Sequence, residues 1–233
     1  MKNQPSKETE QMNRSVYKKW IIILLIIFMA TPIYAGPLPL EKLIAKIQER
    51  YEQTKDLRAK FVQDATIKSI NQTLTEEGTV YFKKPKMMLW DYSKPSHKKL
   101  VINPQKAWLY IPDDNLVYVQ DAKNVLTSKM TVRFIAGIGK LKDDFQITFA
   151  PENSTDEEGN YLLCLTPHRQ EMGIKKLSMK INKDTFYTMN FNFIDIYGNM
   201  TKLTFTDIKT NINLPDSMFN YTPPEGVEIY EVP

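Results

Sequence analysis

The chain has 233 residues, of which 42% are apolar and 25% are charged, with two histidines and one cysteine. This composition is typical of a globular protein, and a single cysteine excludes both an intramolecular disulfide and a multi-cysteine metal site. Most of the basic excess lies in residues 1–35, so residues 36–233 carry 26 basic and 25 acidic side chains. We therefore expect no nucleic acid partner, since nucleic-acid-binding domains are clearly basic.

The first 35 residues have the order of an export signal. Three basic residues precede the eleven uncharged, apolar residues 20–30, and Pro32 and Ala35 follow. A basic region, a short apolar region and a small residue at the end are what a signal peptidase requires. The alternative is an uncleaved anchor, but a helix that crosses a bilayer needs about 20 apolar residues. We expect cleavage between Ala35 and Gly36, which leaves residues 36–233 as a single exported domain.

The body of the chain begins with a helix and continues as strands. Apolar residues recur with a helical period from Leu40 to Tyr51. From Leu57 the period changes to two, which indicates a strand, and ten further strand-like stretches follow. Short turns rich in proline, glycine and asparagine separate most of them, so we predict a mainly β fold: an antiparallel meander that curls into a barrel or a half-barrel. Residues 130–141 break the pattern and suit one or two short helices.

Few residues suggest catalysis. Cys164 lies between two leucines, where a small buried side chain is the simpler interpretation. His97 and His168 lie in turn-like segments without a carboxylate or thiol at the spacing of metal ligands. The sequence lacks a nucleophile elbow, a P-loop and a dinucleotide fingerprint. We therefore expect no enzyme, no metal and no cofactor, although an exported hydrolase that uses one of the histidines remains an alternative.

Bulky apolar side chains alternate along several predicted strands. Side chains two residues apart on a strand share one face of the sheet. One interpretation is an ordinary barrel core, and the other is a concave apolar face that holds a lipid, as barrels and half-barrels often do. The residues that we assign to this face are Val80, Phe82, Met88, Trp90, Trp108, Tyr110, Phe191 and Phe193.

Several motifs, in order, resemble the LolA family of periplasmic outer-membrane lipoprotein carriers. The resemblance covers essentially all of residues 36–233. The motifs are Ala59-x-Phe61-x-Gln63, Gly78-x-Val80-x-Phe82-Lys83-Lys84-Pro85, Met88-x-Trp90-x-Tyr92-x-x-Pro95, Trp108-x-Tyr110, Leu165-Thr166-Pro167, Asp195-x-x-Gly198-Asn199 and Phe219-x-Tyr221-x-Pro223-Pro224-x-Gly226-Val227.

The resemblance implies a fold and a task. The fold is an incomplete antiparallel barrel with an N-terminal helix and short lid helices over an apolar cavity. The task is that of a monomeric periplasmic carrier, which takes acylated lipoproteins from an inner-membrane ABC transporter and delivers them to an outer-membrane lipoprotein receptor, with no cofactor. A periplasmic lipid-binding sensor or regulatory module of the same fold is the alternative.

The resemblance also suggests a lid and a latch. We expect Phe134, Ile135 and Ile138 to form the apolar face of the lid, with Gly137 and Gly139 allowing it to move. The family usually has an arginine before the proline of the first hairpin, and this arginine helps to hold the lid closed. Here the position is Lys84, a compact charge without the planar fork of arginine, so we expect a lysine latch that binds lid carbonyl groups.

Overall fold

A computed structural model of the protein describes residues 36–128, 141–168 and 173–232. The predicted export signal and most of the predicted lid segment lie outside these ranges, so cleavage after Ala35 and the domain boundary there stay predictions. The helices are α1 (Leu40–Gln53), α2 (Ala122–Ser128) and α3 (Leu141–Asp144). The strands are β1 (Asp56–Ile67), β2 (Gln72–Lys83), β3 (Met87–Lys94), β4 (Lys98–Ile102), β5 (Lys106–Ile111), β6 (Leu116–Asp121), β7 (Phe145–Phe149), β8 (Tyr161–Pro167), β9 (Ile174–Ile181), β10 (Thr188–Asp195), β11 (Met200–Thr210) and β12 (Glu228–Glu231).

All twelve described strands belong to one sheet, in the order β12-β6-β5-β4-β3-β2-β1-β11-β10-β9-β8-β7. Neighbours pair antiparallel, except that β12 runs parallel to β6. The first strand lies in the middle of the sheet, between β2 and β11, so it joins the two halves of the meander. The edge strands β12 and β7 do not pair with each other. The predicted fold, a mainly β protein with an open antiparallel sheet and an N-terminal helix, is confirmed.

The N-terminal helix packs on one face of this sheet. Leu43, Ile44 and Ile47 form its buried stripe, and Leu43 and Ile47 join the main hydrophobic cluster. At its end, the hydroxyl group of Thr54 donates to the carbonyl oxygen of Arg50 at 2.8 Å and contacts the hydroxyl of Tyr187 at 2.7 Å. These bonds satisfy a helix-terminal carbonyl group and fix the helix to the turn between β9 and β10.

The strand register divides the side chains into two faces. We call the face that packs against α1 the inner face. In β1 to β4 it carries Ala59, Phe61, Val80, Met88, Trp90, Leu100 and Ile102, and in β7 to β11 it carries Phe145, Leu163, Leu165, Leu177, Met179, Phe191 and Leu203. The opposite side is the outer face. In the second half of the sheet it is mostly polar, as in Lys176, Ser178 and Asn190.

A C-terminal segment, residues 211–227, covers the outer face of the first half. Asp56 holds the start of this segment: its carboxylate accepts hydrogen bonds from the backbone N–H groups of Ile212 at 2.8 Å and Asn213 at 3.0 Å. Phe219 and Leu214 are buried there, and the chain then pairs with β6 as β12. Under this segment, the first half of the sheet therefore carries apolar residues on its outer face as well as on its inner face.

Gly78 leaves the space that an aromatic cluster requires. Phe61 packs edge-to-face on Trp90 and Tyr92, with ring centroids 4.9 and 5.0 Å apart. A Cβ atom at Gly78 would lie 2.9 Å from the ring of Phe61 and 2.2 Å from the carbonyl oxygen of Asp91. Both distances are shorter than a van der Waals contact, so only glycine fits between the central strand and β3.

We predict that Gly78→Ala destabilises the protein by about 1–3 kcal/mol, because overpacking of a well-packed core forces backbone and ring to move apart. Urea unfolding of the purified domain measures this loss. Gly36→Ala is the matched control, since no described atom lies within 4 Å of its Cβ position. Equal stability of Gly78→Ala and the unchanged protein would show that the Phe61 ring does not depend on this gap.

Candidate functional site: the inner face of the sheet

Six of the eight predicted strand residues lie together on the inner face. Val80 pairs with Trp90, Phe82 pairs with Met88, and Phe191 lies two residues from Phe193. Four of the six are buried members of the main cluster, while Phe82 and Phe193 are partly buried and pack against it. The inner face is thus a continuous apolar surface, as the sequence pattern predicted. Whether these side chains contact a lipid stays a prediction.

Trp108 and Tyr110 lie on the outer face, so their predicted position on the concave side is wrong. Trp108 pairs with Val101, whereas the inner positions of these strands are Ile102 and Ala107. Both rings face Tyr221 of the C-terminal segment, at centroid distances of 6.4 and 6.0 Å. Trp108 and Tyr110 do share one face of β5, but it is the outer face. Apolar residues lie on both sides of this part of the sheet, so the alternation does not show which side is the inner one.

The predicted lid residues Phe134, Ile135 and Ile138 and the hinge glycines Gly137 and Gly139 lie outside the described residues. The helices on either side of this segment are described. In α2, Ala122 and Val125 are buried in the main cluster. In α3, the Lys142 ammonium group forms an ion pair with Glu41 of α1. The segment that carries the predicted lid therefore joins two helices that are themselves attached to the domain.

The side chain of Lys84 binds the end of α1. Its ammonium group donates to the carbonyl oxygens of Tyr51 at 2.8 Å and Glu52 at 2.7 Å. The C-terminus of a helix carries unsatisfied carbonyl groups and a partial negative charge, so a lysine is favourable there. Lys84 thus connects the β2–β3 turn to the N-terminal helix. A contact with the predicted lid stays a prediction.

One end of the inner face is polar. Glu76 is 6% exposed; it forms an ion pair with Lys98 and accepts a hydrogen bond from the side-chain amide of Gln63 at 3.1 Å. The Lys98 ammonium group also lies 4.3 Å from the ring centroid of Tyr92. Burial and the nearby Glu76 carboxylate raise the pKa of Tyr92. Sequence reasoning missed this group, although the polar residue Gln63 at an inner position of β1 was a signal.

The outer face of the second half carries a groove of about 560 Å³. Lys176, Lys202, Asn190 and Asn192 contribute to its lining, so it is a poor container for an acyl chain. Cys164 also lines it and is only half-buried, because it faces away from the two buried leucines beside it; the expected burial of this residue is therefore wrong.

No sign of a catalytic or metal centre emerges from the described residues. His168 is exposed, and its Nε2 atom lies 3.2 Å from the backbone carbonyl oxygen of Lys142. No group of three or more potential metal ligands occurs in residues 36–128, 141–168 and 173–232. Over the same ranges, none of the helices has the length and apolar character needed to span a bilayer.

The open sheet with one continuous apolar face places the protein in the class of half-barrel folds. The sequence matches the model of the family described as outer membrane lipoprotein carrier protein LolA over residues 52–222. A protein of Methylococcus capsulatus, named outer-membrane lipoprotein carrier protein, is 26% identical over 187 residues, which cover 80% of this chain and 86% of that protein. A protein of the same name from Methylobacillus flagellatus is 24% identical over 186 residues, which cover 80% and 87% of the two chains.

A solved structure shares the fold. An uncharacterized conserved protein from Thermus thermophilus superposes with a TM-score of 0.53 at 14% identity, covering 82% of this chain and 98% of that one. The chain belongs to the LolA family, and the resemblance seen in the sequence motifs is confirmed.

We predict that Lys84→Met lowers the free energy of unfolding by about 0.5–1 kcal/mol, because two carbonyl groups of α1 lose a charged donor at an exposed site. Lys84→Arg retains a donor and should restore most of the loss. Chemical denaturation measures both effects. Lys86→Met is the control, since Lys86 is exposed in the same turn and none of the described hydrogen bonds involves it. Equal losses in Lys84→Met and Lys86→Met would contradict the assigned contact.

Proposed function

We propose that this protein is a periplasmic carrier of lipoproteins, exported by a signal that is cleaved after Ala35. It binds the acyl chains of lipoproteins released from the inner membrane by an ABC transporter and passes them to an outer-membrane receptor. It works as a monomer, without a cofactor or a covalent step. Family membership supports the general task, and the inner face supports the chemistry of the ligand.

The observation that carries this proposal is the apolar inner face, which spans both halves of the sheet. Transfer of one methylene group from an apolar site to water costs about 0.8 kcal/mol, so a lipoprotein with two or three long chains does not cross an aqueous compartment unprotected. An open sheet offers such chains a long apolar surface with access from its edges. Two methionines on this face, Met88 and Met179, are flexible enough to adapt to irregular chains.

Release of the cargo requires that the interior not be sealed permanently. In this proposal, Phe134, Ile135 and Ile138 cover the chains, and Gly137 and Gly139 let this cover open. Lys84 holds the neighbouring helix α1 in place through its C-terminal carbonyl groups. In this proposal the latch is a lysine that binds α1. The strength of the latch depends on the two hydrogen bonds of Lys84, which salt weakens.

The test is a release assay with the protein that begins at Gly36. Spheroplasts that contain labelled lipoproteins are incubated with the protein, and the supernatant is analysed for a soluble one-to-one complex. Release into the complex supports the carrier. Absence of release, with phospholipid or fatty acid bound to the protein, favours a lipid-sensing module. Absence of both release and bound lipid would mean that the inner face is only a core.

We predict that Phe193→Glu lowers the amount of released lipoprotein at least tenfold, because a carboxylate on the inner face opposes burial of an acyl chain. Ile194→Glu is the matched control in the same strand: it is also half-buried, but it lies on the outer face. Circular dichroism and thermal unfolding identify any variant that fails to fold. A folded Phe193→Glu variant that releases as much lipoprotein as Ile194→Glu would sink the assignment of the inner face.

A further inference from the structure

Trp90 carries a buried hydrogen-bond donor without an acceptor. The residue is 2% exposed, and none of the described residues accepts a hydrogen bond from its Nε1–H group. The ring of Tyr92 is stacked with that of Trp90, at a centroid distance of 6.3 Å. Phe61 packs against it at 4.9 Å, and an aromatic ring is a much weaker acceptor than a carbonyl group. Buried donors almost always have partners, so this exception calls for a physical reason.

Two further buried polar atoms have no partner among the described residues, the Oδ1 atom of Asn192 and the hydroxyl group of Tyr221. Both belong to the outer side of the sheet: Asn192 faces the polar groove, and Tyr221 lies in the C-terminal segment. Trp90 is thus the member of this small group that lies on the inner face, where the proposed cargo binds. Its side chain also belongs to one of the motifs that led to the family.

The position of Trp90 along the strands matches a chemical boundary. In the direction of the β2–β3 turn, the inner face continues with Phe82, Met88 and Ile102, which are apolar. In the other direction, it continues through Tyr92 to the polar group of Gln63, Glu76 and Lys98. An acylated lipid has the same order of parts: hydrocarbon chain, then carbonyl group, then polar head. When the two are aligned, the carbonyl group lies at the level of Trp90.

We propose that the Nε1–H group of Trp90 donates a hydrogen bond to an acyl ester carbonyl of the bound lipid. The inner face then recognises the junction between chain and head group as well as the hydrocarbon itself. This inference rests on the proposed function and adds a fixed depth: chains lie towards Met88, and the head group lies towards Glu76 and Lys98. The ligand class is an ester-linked acyl lipid, such as the diacylglyceryl group of a lipoprotein.

The experiment compares two synthetic lipopeptides that differ only at the carbonyl groups. One carries a dipalmitoylglyceryl cysteine, and the other is its dialkyl ether with chains of equal length. The protein, purified after export, is titrated with each lipopeptide in competition with a fluorescent lipopeptide. We expect the unchanged protein to bind the ester about tenfold more tightly than the ether, which corresponds to about 1.4 kcal/mol. Trp90→Phe, which keeps an aromatic ring but removes the donor, should bring this ratio close to one.

Trp108→Phe is the matched control, because the same substitution on the outer face should leave the ratio at tenfold. An ester preference that persists in Trp90→Phe would overturn the inference, and so would the absence of a preference in the unchanged protein. In both cases the lipopeptides still bind, so the carrier proposal stands. If neither lipopeptide binds to the unchanged protein, the inference and the carrier proposal fail together.

A second measurement covers the case in which Trp90→Phe does not fold. After cleavage of the leader, the chain retains two tryptophans, Trp90 and Trp108, so its amide NMR spectrum contains two indole N–H signals. Trp108→Phe assigns them. We expect the Trp90 signal to move downfield with the ester lipopeptide and not with the ether, since a new hydrogen bond deshields the proton. Equal shifts with both ligands would contradict the proposed bond.

Discussion

The alternation of side chains along a pleated strand is the constraint on which this structure depends. Each residue faces the side opposite to its neighbours, and strand pairing carries this order across the sheet. Because β1 pairs with β2 on one side and β11 on the other, it transmits a single phase to both halves. The inner face is therefore apolar from β4 to β7 without interruption of the sheet. A slip of one residue in the central strand would turn Ala59 and Phe61 outward.

A bulge between β1 and β11 shifts this alternation locally. Between Arg58 and Lys60 of β1, the partner strand β11 advances by an extra residue, and Asp207 has a left-handed backbone with φ of 50°. Phe205 and Ile208 consequently both pack against the inner cluster, although they are three residues apart. Beside this bulge, the side chain of Arg58 forms an ion pair with that of Asp207 at 3.0 Å. Burial at positions 205 and 208 cannot be inferred from strict alternation.

Most of the architecture and part of the site could be predicted from the sequence, and particular residues show why the rest could not. Val80, Phe82, Met88 and Trp90 are correctly placed on one face, because the short turn between β2 and β3 pairs Val80 with Trp90 and Phe82 with Met88. Trp108 was misplaced because β5 is apolar in both phases, and alternation alone does not distinguish two apolar faces. The cause lies in residues 211–227, which have no periodicity and therefore gave no indication that they cover the outer face.

The inner face also has a direction. It begins beside α1, whose end is held by Thr54 and Lys84, and it ends at the ion pair of buried Glu76 and half-buried Lys98. A partly buried pair of this kind contributes little to stability compared with an apolar pair of similar size. It does, however, oppose the placement of a hydrocarbon chain at that end. An apolar face with one charged end orients an elongated amphiphilic ligand, whereas an entirely apolar face does not.

The C-terminal segment has a consequence for the order in which the chain becomes structured. Residues 211–227 leave the ribosome or a translocation channel about a hundred residues after Trp108 and Tyr110, whose rings they contact through Tyr221. Until Asp56 captures the backbone at Ile212, the outer face of β3–β6 stays open to solvent and to other chains. The apolar outer layer of the first half therefore stays uncovered until residues 211–227 have been made, and a nascent or truncated molecule that lacks them exposes this layer to aggregation.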